Sequence, residues 1–276
     1  MSEPRHFRRV LILWLVLSAI TTPIVVIIAA PGLPPGTSSA EGSGQVTDNT
    51  VLLGVATPIA AFIVAYFAYA LIVFRHRGSE PDEGVAIRGN SSAVTVWLVV
   101  TGLVVVFAAT YGSARLFADN GSGGGQGSSP LAKPGGHPLQ VQVIGQQWNW
   151  TYRFPSYGGV ETPHLELPVN RDIALHVTSL DVIHSFWAHD LGVKADANPG
   201  VDNVAYVRPN KVESFDIRCA ELCGLFHGHM TQTGYIVPDS QFQAWVQQQQ
   251  RRYAPATKNL NPYNHEYLPR PLRRAG

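Results

Sequence analysis

Hydrophobic residues are unevenly distributed along this chain. Three long apolar runs, residues 10–30, 51–74 and roughly 93–113, lie in the first half, and none contains a charged residue. Each reaches the ~20 residues that a helix needs to cross a bilayer core. The second half changes period. Between residues 137 and 238 short apolar stretches are broken by Gly, Pro and Asn, a strand signature. Strands are expected at 138–145, 147–155, 172–178, 181–188, 202–208, 211–218 and 230–237. Short strands at that spacing predict a Greek-key β-sandwich or barrel. A helix should follow, capped by Asp239, with Phe242, Trp245 and Val246 as its apolar stripe.

Composition sets the boundaries between these parts. Residues 31–50 and 119–136 are rich in Gly and Ser and read as linkers, the first on the external side. The expected organisation is a signal peptide or additional span over 1–30 and a linker over 31–50. A transmembrane hairpin over 51–118 follows, then a linker over 119–136, a β-domain over 137–252 and a basic tail over 253–276. Arg5, Arg8 and Arg9 precede the first run, and Arg75, Arg77 and Arg88 lie between the second and third, whereas 31–50 carries no Lys or Arg. The positive-inside rule therefore puts the C-terminal half outside the cell membrane. The first run also fits a secretory signal. Cleavage after Ala30 is disfavoured by Pro31, but the stretch Thr37–Glu41 offers another site.

The net charge of +1 hides an asymmetry. Residues 131–250 hold eleven acidic and seven basic side chains, a formal −4. Such a domain attracts a basic partner with an on-rate that depends on ionic strength. No nucleic acid is expected among its partners.

The candidate chemistry lies in one dodecapeptide. Cys219, Cys223, His227 and Met230 form C-x3-C-x3-H-x2-M, which contains both cysteines and the only methionine beyond Met1. Two thiolates, an imidazole and a thioether are a soft donor set that suits copper in electron transfer. A disulfide leaves His227 and Met230 unexplained, and a zinc site leaves the thioether without a role. A mononuclear blue-copper site needs one cysteine, so the second thiolate points to two bridged copper ions. The remaining histidine is expected to be His184, in the strand-like segment Ser179–Trp187. Glu221, between the cysteines, should turn its carbonyl towards the metals and its carboxylate away, where it could serve a hard cation. His229 is read as facing a partner. In Gln147–Phe154 every second residue is aromatic, which puts Trp148, Trp150, Tyr152 and Phe154 on one strand face. The last three are expected in the core. Trp148, at the strand start, is a candidate for electron uptake at the surface.

These motifs together resemble subunit II of haem–copper cytochrome c oxidases, the subunit that carries the CuA centre. The resemblance runs over about residues 51–252. It rests on Q-W-x-W, D-V-I-H-S-F-W (181–187), the G-V-K-A-D-A-N-P-G turn (192–200) and C-A-E-L-C-G-x-x-H-x-x-M. It implies a cupredoxin-like domain with His184, Cys219, Cys223, His227 and Met230 binding two coppers by their side chains, and Glu221 by its carbonyl. The Glu221 carboxylate would reach a magnesium or manganese ion shared with subunit I. Trp148 would accept electrons from cytochrome c and pass them on through CuA. Oxygen reduction and proton pumping would then belong to subunit I, and other oxidase subunits would be partners. The family also favours removal of the first apolar run as a signal.

The chain departs from the family's usual pattern in places. Asn149 stands where another aromatic is usual, Ile217-Arg218 where Gly-Gln is, and Ala188-His189 where a proline is common. Ala93 and Val94 precede Trp97 where many relatives have a glutamate at the mouth of a proton path. The alternative function is the electron-accepting subunit of a CuA-type nitric oxide reductase. Quinol oxidase subunits lack the copper ligands, and nitrous oxide reductase needs a propeller for which there is no room. A copper carrier would not need the aromatic strand.

Overall fold

Apolar runs without a charge leave the backbone to satisfy its own hydrogen bonds, and in each of them it does so as a helix. In a computed structural model, which describes residues 3–75, 78, 89–119, 122–125 and 135–257, the helices are α1 (Glu3–Pro23), α2 (Ala40–Val73) and α3 (Ser91–Ala118). The helical winding of α1 continues to Gly32, and all three segments are long and apolar enough to cross a membrane. The chain divides into two units, Met1–Leu33 with Thr47–Leu116, and Pro34–Val46 with Phe117–Gly276.

Within the helical unit the Trp14 indole N–H donates to the Pro58 carbonyl at 2.8 Å. On α2, Asp48 accepts from Tyr111 and Arg115 of α3, both at 2.8 Å. The stretch that joins the second and third apolar runs and the expected basic tail over 253–276 fall largely outside the described residues.

The second unit is a cupredoxin-like β-sandwich of two five-stranded sheets. One sheet has the order β3-β2-β1-β5-β8. Its strands are β1 (Leu139–Gln146), β2 (Asn149–Phe154), β3 (Val160–Thr162), β5 (Ile173–Ser179) and β8 (Asn203–Val207). The other has the order β4-β10-β9-β6-β7, from β4 (Glu166–Pro168), β6 (His184–Ala188), β7 (Val193–Ala197), β9 (Glu213–Cys219) and β10 (Thr231–Val237). β1 pairs antiparallel with its sequence neighbour β2 and parallel with β5, so a long connection returns the chain beside its first strand, as in a Greek key.

Alternation fills the space between the sheets. Trp150, Tyr152 and Phe154 on β2 are fully buried, as their period of 2 predicts. On β7, Val193, Ala195 and Ala197 point inwards while Lys194 and Asp196 are exposed.

Helix α4 (Asp239–Thr257) closes the end of the sandwich remote from Met230, with Phe242 and Val246 buried. Phe154 meets the rings of Phe242 and Trp245 at 6.0 and 5.5 Å. Asp239 is not the cap. It is the first residue of the helix and pairs with Arg171 at 3.8 Å, while the Pro238 carbonyl accepts the N–H groups of Gln241 and Phe242.

Two stretches read as linkers by composition take part in this unit. Ser38 N–H donates to the Asp190 carbonyl, and the Ser38 carbonyl accepts from Asn210 N–H. Ser39, fully buried, donates from its hydroxyl to the Leu191 carbonyl and accepts from Gly42 N–H, so α2 begins at Ala40, well before the apolar run at 51. Gly123 exchanges backbone hydrogen bonds with Lys194 and Tyr206. Side-chain hydroxyls and bare glycine backbone are what let polar segments of this kind pair with strand edges.

Candidate metal centre

The β9–β10 ladder makes the dodecapeptide a closed loop. Arg218 faces Thr231 across the pair, and Cys219 N–H donates to the Met230 carbonyl at 3.1 Å. The first and last sulfur residues therefore meet at the loop's base. Inside it, a short helical turn over His227–His229 brings His227 back over Cys223, and Met230 N–H donates to the His227 carbonyl at 3.2 Å. Ala220 N–H donates to the Ser185 carbonyl, which ties the loop to β6, the strand that begins with His184.

Five side chains converge there. Cys219 Sγ lies 3.7 Å from Cys223 Sγ and 3.8 Å from His184 Nδ1. Cys223 Sγ lies 3.6 Å from His227 Nδ1 and 3.9 Å from Met230 Sδ. The Glu221 carbonyl is 3.2 Å from Cys219 Sγ, and the Glu221 carboxylate is exposed. The cysteines are not joined to each other. His184, Cys219, Cys223 and Met230 are buried, and His227 is partly exposed.

The donor set fits copper. Paired thiols flanked by imidazoles and a buried thioether are soft ligands, and zinc would have no use for Met230. A mononuclear site would leave one thiolate surplus.

Electrostatics separates the two thiols. Burial opposes a thiolate at Cys219, but hydrogen bonds from His184, from the backbone of Ser185 and Glu221, and from His227 outweigh it and bring its pKa down to about 6. Burial and the neighbouring Cys219 push Cys223 up to about 12. The first proton to leave the pair is therefore that of Cys219.

His184 is oriented from behind. Its Nε2 lies 2.9 Å from Asp181 Oδ1, and an ionised carboxylate only accepts, so Nε2 carries the proton and Nδ1 turns to sulfur. Burial works against the Asp181 charge, but the N–H groups of Gln147 and Val182 and the His184 ring hold its pKa below the usual carboxylate range. The Trp150 ring packs edge-on to His184 with centroids 5.9 Å apart. Gly145 makes that possible, because a Cβ there would come within 2.9 Å of Trp150 and 3.2 Å of His184.

Trp148 stands just before β2 and is half-buried. Its indole N–H donates to the Cys223 carbonyl at 3.1 Å, and its ring meets Phe226 edge-on at 4.9 Å. His229 is exposed, its ring edge-on to Phe226 with centroids 6.3 Å apart. Arg218 is exposed and paired with Asp216 at 3.2 Å, on the opposite side of β9 from Cys219. Asp181 and Gln147 were not anticipated as site residues. Each is the first residue of a motif that carries the resemblance, Q-W-x-W and D-V-I-H-S-F-W, but neither was given a role at the site.

Residues 163–237, which contain the whole loop and His184, match the family described as cytochrome c oxidase subunit II, periplasmic domain. The chain is 27% identical to cytochrome c oxidase subunit 2 of Thermostichus vulcanus over 79% of each chain. It is 26% identical to that of Synechocystis, over 78% of this chain and 75% of the relative. It is also similar to the solved periplasmic domain of subunit II of cytochrome oxidase (CoxB) of Bradyrhizobium japonicum. The identity is 32%, over 42% of this chain and 95% of that one, with a TM-score of 0.41. The matched segment contains His184 and the whole converging loop, and these relatives are subunits 2 of cytochrome c oxidases, so this chain carries a domain of the cytochrome c oxidase subunit II family.

Proposed function

We propose that this chain is the electron-accepting subunit of a cytochrome c oxidase and holds two copper ions. The side chains of His184, Cys219, Cys223, His227 and Met230 and the carbonyl of Glu221 are the ligands. The observation that carries this is the pair of thiols 3.7 Å apart with a second donor within 4 Å of each. Copper held by these residues would supply one-electron transfer. The chain's own residues do the rest. Asp181 holds the His184 tautomer, the β9–β10 ladder holds the loop shut, and burial of Met230 and both cysteines keeps water from the sulfurs.

Trp148 is the point of electron uptake from cytochrome c, because its ring lies at the surface with a direct hydrogen bond to the ligand loop. A formal −4 between residues 131 and 250 suits a basic donor. The exposed Glu221 carboxylate serves a magnesium or manganese ion shared with subunit I. The copper domain lies on the periplasmic side of the cell membrane, and the apolar helices span it. The relatives bear oxidase names, which favours the oxidase over a nitric oxide reductase.

Copper analysis and electron paramagnetic resonance on the full-length chain test this reading. Two coppers per chain with the unpaired electron shared equally are expected; one copper, or zinc alone, would overturn it. Trp148→Phe removes the indole donor, and in the assembled oxidase it should slow oxidation of cytochrome c about tenfold with copper content unchanged. An unchanged rate would remove Trp148 from the electron path.

A further inference from the structure

The ligands come from two separate parts of the chain, and a side chain that ligates nothing joins them. Gln147 lies in the β1–β2 turn and is exposed. Its backbone N–H donates to Asp181 Oδ2 at 2.7 Å, and Asp181 in turn holds His184. Its side-chain amide donates to the Cys223 carbonyl at 2.9 Å, beside the Trp148 indole on the same oxygen. Gly224 leaves the way open. With φ of +112° it adopts a backbone that L side chains rarely enter, and a Cβ there would come within 3.0 Å of Gln147 Nε2.

We propose that Gln147 is a positioning residue for the copper centre. By one residue's two donors it sets the spacing between the His184 loop and the Cys223 loop, and it fills the second lone pair of the carbonyl to which Trp148 is bonded. The inference rests on the copper reading above. Both carbonyl lone pairs are then used, so the Cys223 peptide cannot rotate without losing two hydrogen bonds at once. The side chain is exposed and contributes nothing to the core, so its removal should leave folding intact.

Gln147→Ala and Gln147→Glu in the full-length chain separate the possibilities. Both keep the backbone N–H to Asp181, so the Cys223 half of the clamp is tested alone. For Gln147→Ala, copper release to a chelator should quicken about 10- to 100-fold, with altered copper hyperfine splitting and an unchanged thermal midpoint of the metal-free protein. Gln147→Glu sets a carboxylate against a carbonyl oxygen and should release copper faster still. Two results would overturn the inference. One is parental copper release and spectrum in Gln147→Ala. The other is a fall in the metal-free midpoint that accounts for the loss, which would make Gln147 a general structural residue. If the parent chain itself binds no copper pair, the copper reading fails instead, so the two failures are distinguishable.

Discussion

The aromatic ladder of β2 ends differently at the two ends of the sandwich. Towards the metal centre it finishes at Trp148, half-buried and bonded to the main chain of the Cys223 loop. Towards α4 it finishes at Phe154, fully buried among Phe242, Trp245 and the rest of the core. The same alternation produces both, and what differs is what covers the ring. The helix end is sealed by apolar contact. The metal end is held by hydrogen bonds to carbonyls and a carboxylate, around glycines that admit close approach. Apolar side chains are left outside on it, with Leu222 78% and Leu225 84% exposed. Stability should therefore be concentrated at one end and ligand geometry at the other.

Phe154→Ala tests that division most severely. Truncating a fully buried phenylalanine costs about 3–5 kcal/mol. The copper spectrum of the folded fraction should be unaltered, since six residues of strand separate the site from the lesion, about 20 Å. Thermal unfolding and electron paramagnetic resonance on one sample read both quantities. A changed spectrum would show that the two ends are coupled through the core.

Asp181→Asn is the reciprocal change at the metal end. The amide keeps the shape of the side chain but not the charge that fixes the His184 ring. Copper affinity should fall about 10- to 100-fold, roughly 1.4–2.7 kcal/mol, while the midpoint of the metal-free protein scarcely moves. Undiminished affinity would mean that packing by Trp150 and the open face of Gly145 hold the ring unaided.

What the sequence disclosed follows the same division. The buried rings of β2 and the stripe on α4 were legible because burial has a period. Cys219, Cys223, His227 and Met230 were legible as a group because few chemistries want those donors at that spacing. The role of Gln147 was not, since hydrogen bonds across 34 and 76 residues leave no local pattern, and Asp181, three residues before His184, has no side-chain chemistry that sets it apart from a surface carboxylate. β3 and β4 have three residues each, too few for alternation to register. β7 alternates faithfully, but Ala, Lys and Asp are poor strand formers. Pro34–Val46 has the composition of a linker, and hydrogen bonds from Gly36, its buried serines and Gln45 to backbone far along the chain give it a place in the β-unit. Such pairing is invisible to composition.

The smallest expected effect belongs to Glu166, at the helix end, where β4 pairs with Tyr235–Val237. Its Oε2 is buried with no hydrogen-bond partner, and burial raises its pKa. A carboxyl whose folded pKa exceeds its unfolded value contributes stability below the unfolded value and loses it as pH rises through the folded one. Ionising this carboxyl in the folded protein therefore costs more than in the unfolded chain, which hydrates it freely. Glu166→Gln removes the titration. Its midpoint should match the parent's near about pH 4 and exceed it slightly near about pH 7, the difference kept small because solvent still reaches the group. Parallel midpoint curves over that range would show that solvent or a shifted side chain already satisfies the carboxylate. Since Glu166 touches none of the donors, copper retention should be the same in parent and variant throughout. If it were not, the helix end would be shaping the metal end after all.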